Sequence, residues 1–203
     1  QTLLKNLIGR AISQATMLKY ILQLHEALAP WEDQAIKLLL DSAAMNVDET
    51  SMRVEKSKYW VHVYSAGDIT LKRLHRRRGK EAIDEINIIP RYGGVIVHDC
   101  WASYFSYEKS ADALCGSHLM RELEFVINSN DYAWARNMKH LLKETCAEVS
   151  SRESKQLEAD EYLNLQKRYR NILTRGSAEL PARPVRPSGK RGRLAQSDAQ
   201  NLW

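Results

Sequence analysis

The sequence predicts an α/β domain bracketed by helical segments, and three observations carry that prediction. Apolar residues recur at steps of three and four up to about residue 42, then change near Ala44 to the alternation of β-strands. Turn signals at Lys56-Ser57-Lys58 and Gly67-Asp68 separate β-rich runs, and a helical stretch leads from them into Val95-Ile96-Val97. Beyond Trp101 the strand signals stop, and residues from about Ala113 to Thr174 read as charged, Leu-rich helix. A length of 203 residues, 44% hydrophobic and 27% charged, supports a medium domain with a core plus an appendage and excludes low-complexity disorder. No apolar run approaches the roughly 18 residues of a membrane span, which predicts a soluble chain with no membrane partner. Cys100, Cys115 and Cys146, with no CxxC pair and no secretory leader, predict reduced thiols in the cytoplasm. Gln1 falls inside a helical pattern, so the chain is expected to be a piece of a longer one.

Each element has its own signal. Leu3, Leu4, Leu7 and Ile8 form a first helix that breaks at Gly9. Ser13 is placed to cap a second helix carrying Met17, Leu18, Ile21, Leu22 and Leu24, and Pro30 is expected to close it. A third helix runs roughly from Trp31 to Asp41. Helix, Gly-containing turn and helix is the pattern of a helix-turn-helix DNA reader and, more commonly, of a plain packing hairpin. Residues 1–42 are read as such a helical, DNA-contacting region. Met45, Val47, Met52 and Val54 outline a strand with Asp48-Glu49-Thr50 at its exposed end. Tyr59–Tyr64 and Ile69–His75 continue an antiparallel meander. Gly79 opens a helix with Ala82, Ile83 and Ile86 on one face, which Pro90 is expected to end. Val95–Val97 then fits a buried parallel strand, running into His98-Asp99-Cys100. Pro181, Pro184, Pro187, Gly189 and Gly192 mark residues 181–203 as a basic linker, after helical residues 113–180.

Three strands, a helix, a buried strand and then helices is the opening order of a ribonuclease-H-like fold, whose first and fourth strands lie side by side. Asp48 on the first and Asp99 at the end of the fourth then converge. An Asp at a strand end is more usually a turn or cap residue. Joint placement on two strands that the fold brings together favours a metal-binding pair, because two carboxylates repel unless a cation bridges them. Hard oxygen donors select Mg²⁺ or Mn²⁺, the ions of phosphodiester chemistry.

The basic residues are clustered. Lys72, Arg73, Arg76, Arg77, Arg78 and Lys80 crowd the end of the third strand, and residues 162–193 hold nine basic side chains against one acid, Glu179. Runs of this kind are often solvated surface; beside a phosphodiester site they suit backbone phosphate. Cys115-x₂-His118, and His98 with Cys100, have half the spacing of a zinc site, whereas a closed site needs four ligands. Trp60, Trp101 and Trp134 sit in apolar contexts and are expected in the core. Neither a GxSxG elbow nor a GxxxxGK[ST] loop occurs, which removes serine hydrolase and P-loop nucleotidase readings.

Asp48-Glu49-Thr50, Arg78-Gly79-Lys80-Glu81-Ala82, Val97-His98-Asp99, the run Cys115-Gly116-Ser117-His118-Leu119-Met120-Arg121-Glu122-Leu123, Lys190-Arg191-Gly192-Arg193 and Asn201-Leu202 occur in that order. Together they resemble the insertion-sequence-66 family of bacterial DDE transposases, over about Ile12 to Trp203. The resemblance implies a ribonuclease-H-like catalytic domain, first part at 43–112, that cuts and joins DNA at the ends of a mobile element. It maps the first two catalytic, metal-holding carboxylates onto Asp48 and Asp99, with Mg²⁺ (or Mn²⁺) as cofactor. It makes 113–180 an α-helical insertion and 181–203 a basic linker with the incomplete start of the remaining catalytic part, and sets His118 and Arg121 near DNA phosphate, beside the basic candidates Arg76, Arg77, Arg78, Lys80, Lys190, Arg191 and Arg193. The partners implied are double-stranded DNA, as element ends and target, and further copies in a homo-oligomer at the bacterial nucleoid. The family's third carboxylate lies in an Asn-containing Ala-Glu-Arg helix beyond the Asn-Leu segment, and no glutamate from Glu122 to Glu179 matches it. The expectation is therefore a fragment truncated before that residue; the alternative is a catalytically inactive DNA-binding or regulatory remnant.

Overall fold

A computed structural model describes residues 2–180, which form two compact units divided between Ala113 and Leu114. The expected basic linker, with Lys190, Arg191 and Arg193, lies outside the described residues.

The first unit begins with α1 (Thr2–Ile8), ended by Gly9 at φ 72°, and α2 (Gln14–Ala27). Ser13 caps α2 by accepting from the Thr16 N–H at 3.0 Å. Pro30 does not close α2: it occupies the first turn of α3 (Ala29–Leu40), where a missing N–H costs nothing. Only Leu28 separates the two helices, and its φ −83° and ψ −8° are helical, so α3 follows on from α2. Ala35, Ile36, Leu39 and Leu40 bury the inner stripe of α3.

The sheet has the order β3-β2-β1-β4-β5. Strand β1 (Ala44–Val54) pairs antiparallel with β2 (Ser57–Ala66), and β2 with β3 (Ile69–His75). The first turn is tighter than the sequence suggests: Glu55-Lys56 alone makes it, with Glu55 at φ 55°. Gly67, at φ 53°, supplies the left-handed position of the second. Gly79 opens α4 (Lys80–Ile86), but Asn87 in the left-handed conformation ends it, and Pro90 belongs to the following 3-10 turn, Ile89–Arg91. Strand β4 (Val95–His98) lies parallel to β1, with Ala44 opposite Val95 and Asn46 opposite Val97. This is the side-by-side placement of first and fourth strands that the ribonuclease-H-like order requires. A fifth strand, β5 (Ala111–Leu114), contradicts the expectation that strands stop at Trp101; its four residues, Ala-Asp-Ala-Leu, are short and poor in β-formers. Leu39, Met45, Val47, Tyr64, Leu71, Ile83, Tyr92, Ile96 and Tyr104 make the core.

The second unit is three helices, α5 (Gly116–Asn130), α6 (Ala133–Ser151) and α7 (Ala159–Glu179). Leu123, Trp134, Ala135, Met138 and Leu141 form its core. Gly176 of α7 is buried against Trp134, so closely that a Cβ there would stand 2.7 Å from the indole ring.

Candidate functional site

The alternation of β1 decides which acid faces where. Met45, Val47 and Glu49 point into the core, while Asn46, Asp48 and Thr50 point outward. The acids therefore do not sit at an exposed strand end; they occupy the middle of an eleven-residue strand, one on each face. Carrying the β1–β4 register two residues past Asn46–Val97 sets Asp48 opposite Asp99. Asp99 follows directly on β4, where its Oδ1 accepts from the Trp101 N–H at 3.0 Å. Asp48 is exposed, with Oδ1 accepting from the Glu49 N–H at 2.8 Å.

Glu49 is the residue that the sequence reading missed. Its side chain is 1% exposed, Tyr104 Oη donates to its Oε1, and Arg78 lies 3.4 Å from its Oε2. Burial pushes its carboxyl up to about 7; the charges of Asp99 and Asp48 push the same way, and Arg78 opposes them. Arg78 also reaches Asp99 Oδ2 at 3.7 Å, so one guanidinium spans the two acids. That guanidinium stacks 4.2 Å from the ring centre of Trp101 and 5.1 Å from that of Trp60. Trp60 and Trp101 are half-buried around Arg78, Trp101 also packing against the core; of the three only Trp134 is fully buried. Strict alternation from Met45 and Val47 was the available signal for Glu49.

Beneath Asp99, His98 is fully buried, with Nε2 3.1 Å from Asp112 Oδ1 on β5 and its ring against Tyr104 and Phe105. On β2, His62 stands opposite Glu49 with Nε2 3.2 Å from the Arg77 carbonyl, and burial holds its pKa down. These contacts hold the residues that directly precede Arg78 and Asp99.

The remaining basic candidates divide. Arg77 pairs with Glu81, and Lys80 lies 3.6 Å from Asp84 Oδ1 and over the Tyr107 ring. Arg76 is exposed, above the ring of Tyr59. In the helical unit, His118 sits in the first turn of α5 with a buried Nδ1 that has no hydrogen-bond partner among the described residues, and Arg121 is exposed one turn on. Among the described residues no three His, Cys, Asp or Glu side chains group as a metal cage, and neither half-zinc spacing gathers a full ligand set. Asp48 and Asp99 offer a different donor set, a pair of hard carboxylates. That pair suits Mg²⁺, which is commonly held by one or two carboxylates with substrate phosphate and water completing its shell.

The parallel β1–β4 pair and the antiparallel meander beside it define a ribonuclease-H-like α/β domain. The chain matches the family described as "Transposase IS66 family" over residues 1–203, and it belongs to that family of transposases. No curated protein matches it. Solved structures with some likeness include the HTLV-2 integrase catalytic core domain in complex with magnesium, in trimeric form. It is 12% identical, with a TM-score of 0.31, over 53% of this chain and 86% of that one. Another is the simian T-cell lymphotropic virus intasome in complex with PP2A regulatory subunit B56 gamma, 16% identical, with a TM-score of 0.31, over 53% of this chain and 49% of that one. Likeness at these scores says nothing of what this chain binds or cuts. No helix among the described residues is long and apolar enough to cross a membrane.

Proposed function

We propose that Asp48 and Asp99 are the metal-holding acids of a DNA strand-cleaving and strand-joining centre, acting on the ends of an insertion sequence. The observation that supports this reading is the parallel β1–β4 pairing, with Asp48 two residues beyond Asn46 and Asp99 two beyond its partner Val97, in a chain of a transposase family. A bound Mg²⁺, or Mn²⁺, would supply charge neutralisation and an activated oxygen at the phosphodiester. The chain's own residues do the positioning. β1 and β4 hold the two carboxylates on a rigid sheet, and the Trp101 N–H fixes the Asp99 rotamer. Arg78, held by Glu49 and clamped between Trp60 and Trp101, keeps a fixed positive charge beside Asp99, where a DNA phosphate would arrive. Arg76 and Arg77 at the same strand end, with Lys80 opening α4, give phosphate contacts without base readout. His118 and Arg121 are assigned to DNA phosphate on the helical unit, and Lys190, Arg191 and Arg193 to the same chemistry in the basic segment.

The test is Mg²⁺-dependent nicking of element-end DNA by the transposase containing this chain. Asp48→Asn and Asp99→Asn should each abolish nicking while leaving DNA affinity intact, and affinity should fall steeply with salt. Nicking that survives either substitution overturns the assignment. A wild-type protein that binds DNA but never nicks it would leave the DNA-binding reading in its place.

A further inference from the structure

Strand β4 alternates as β1 does. Ile96 and His98 are its buried members, so the last inward position before Asp99 holds an imidazole where packing alone asks for an aliphatic side chain. His98 is 0% exposed, with its ring centre 4.9 Å from those of Tyr104 and Phe105. A polar ring in such surroundings destabilises the fold unless its nitrogens find partners. Nε2 lies 3.1 Å from Asp112 Oδ1 on β5, and Nδ1 is hydrogen-bonded to the backbone carbonyl of Asp99. Both partners are acceptor oxygens, so the ring donates to each and cannot turn without losing both bonds.

We infer that His98 and Asp112 are positioning residues for Asp99, a carboxylate–imidazole–backbone brace that sets the direction of its carboxylate. The inference rests on the reading of Asp99 as a metal-holding acid. Asp99 stands past the end of β4 and beyond the last β1–β4 pair, Asn46–Val97, so the ladder to β1 no longer fixes it. The His98 ring takes over that task. It holds the Asp99 carbonyl, while the Trp101 N–H holds Oδ1 at 3.0 Å. Oδ2, which Arg78 faces at 3.7 Å, is left as the oxygen open to a cation. Asp112 anchors the far side of the ring. Its side chain is 31% exposed and has water within reach, yet it turns to the buried imidazole. Its strand is tied to the start of β4 by the Ala111 N–H, which donates to the Gly94 carbonyl at 3.0 Å, so the ring is braced between two strands of one sheet. Outer partners of this kind orient ligating side chains, and losing one weakens metal binding without touching a ligand.

Two measurements on the whole 203-residue chain test the brace: Mn²⁺ titration followed by the paramagnetic resonance of the free ion, and amide hydrogen exchange of the metal-free chain by NMR. Asp112→Ala should weaken Mn²⁺ binding by about 10-fold or more and speed exchange of the Trp101 amide by a similar factor. The amides of Met45 and Ile96, inside the β1–β4 pair, should keep their protection. His98→Gln, which loses the bond to the Asp99 carbonyl, should change both readouts in the same way. Unchanged Trp101 protection overturns the proposal, because any effect on Mn²⁺ then comes from the charge of Asp112 alone. Protection lost at Met45 and Ile96 as well overturns it by making the pair a prop for the whole sheet. Asp99→Asn separates this inference from the reading beneath it. If that variant loses Mn²⁺ affinity and Asp112→Ala does not, the positioning role alone fails; if neither loses it, Asp99 is not a metal-holding acid and both fall.

Discussion

The two units use ion pairs in different ways. In the sheet unit Glu49 is buried against Tyr104 beneath the half-exposed Arg78, and burial drives its carboxyl up to about 7. In the helical unit Arg152 pairs with Glu148 and Glu161, Arg168 with Glu144 and Lys139 with Glu124, all at the surface. There the pairing wins over desolvation, and Arg152 holds Glu161 down at about 2. One kind of contact therefore gives opposite shifts, set by whether water remains to share the charge. The helical unit is held by the packing of Trp134 and its neighbours, and its charges decorate it. In the sheet unit one carboxyl, that of Glu49, is built into the interior, next to the acids proposed to do chemistry, while Arg77–Glu81 and Lys80–Asp84 stay at the surface.

That contrast can be broken at several points. The largest effect belongs to Asp99→Asn, expected to lower nicking by about 10³-fold or more while the melting temperature hardly moves; a large loss of stability instead would make Asp99 a structural cap. Trp134→Ala should cost the helical unit about 3–5 kcal/mol, and chemical denaturation should then show that unit unfolding before the sheet. If both units lose stability equally, they do not fold as separate bodies. A smaller effect attends Glu49→Gln. Because the folded pKa of Glu49 lies above its ordinary 4.5, its protonated form contributes stability below about pH 4.5 that is lost as pH rises through about 7. The difference between wild-type and variant unfolding free energies, in chelator-treated buffer, should therefore change by on the order of 3 kcal/mol between pH 4.5 and 7.5. A flat difference would show that Glu49 keeps its proton equilibrium unchanged on folding. Smallest of all, Arg168→Gln removes an exposed pair and should leave the thermal transition unaltered; a clear drop would mean that the surface pairs of this unit act as a network.

Much of this was legible in the chain because period and turn chemistry are local. Ser13, Gly67 and Gly79 mark their elements, and the order of strands led to the parallel β1–β4 pair. The prolines misled, since Pro30 and Pro90 begin helical turns as readily as they end helices. β5 was invisible because a four-residue edge strand of Ala and Asp is held by its neighbour, through contacts such as Ala111 N–H to the Gly94 carbonyl, rather than by its own propensity. At the site, the proposed pair of Asp48 and Asp99 comes from strand order, but Glu49 and the two tryptophans around Arg78 had no such signal. Their roles depend on tertiary neighbours: a carboxyl turned inward meets Arg78 from 29 residues away and Tyr104 from 55 residues away.

The central claim is that Asp48 and Asp99 serve one site, and a double-variant cycle on Mg²⁺-dependent nicking tests it most directly. Residues that hold the same ion act as a unit, so Asp48→Asn, Asp99→Asn and the two together should all reach the same residual rate. Two partial losses that multiply in the double variant would contradict the claim, because the carboxylates would then be working apart.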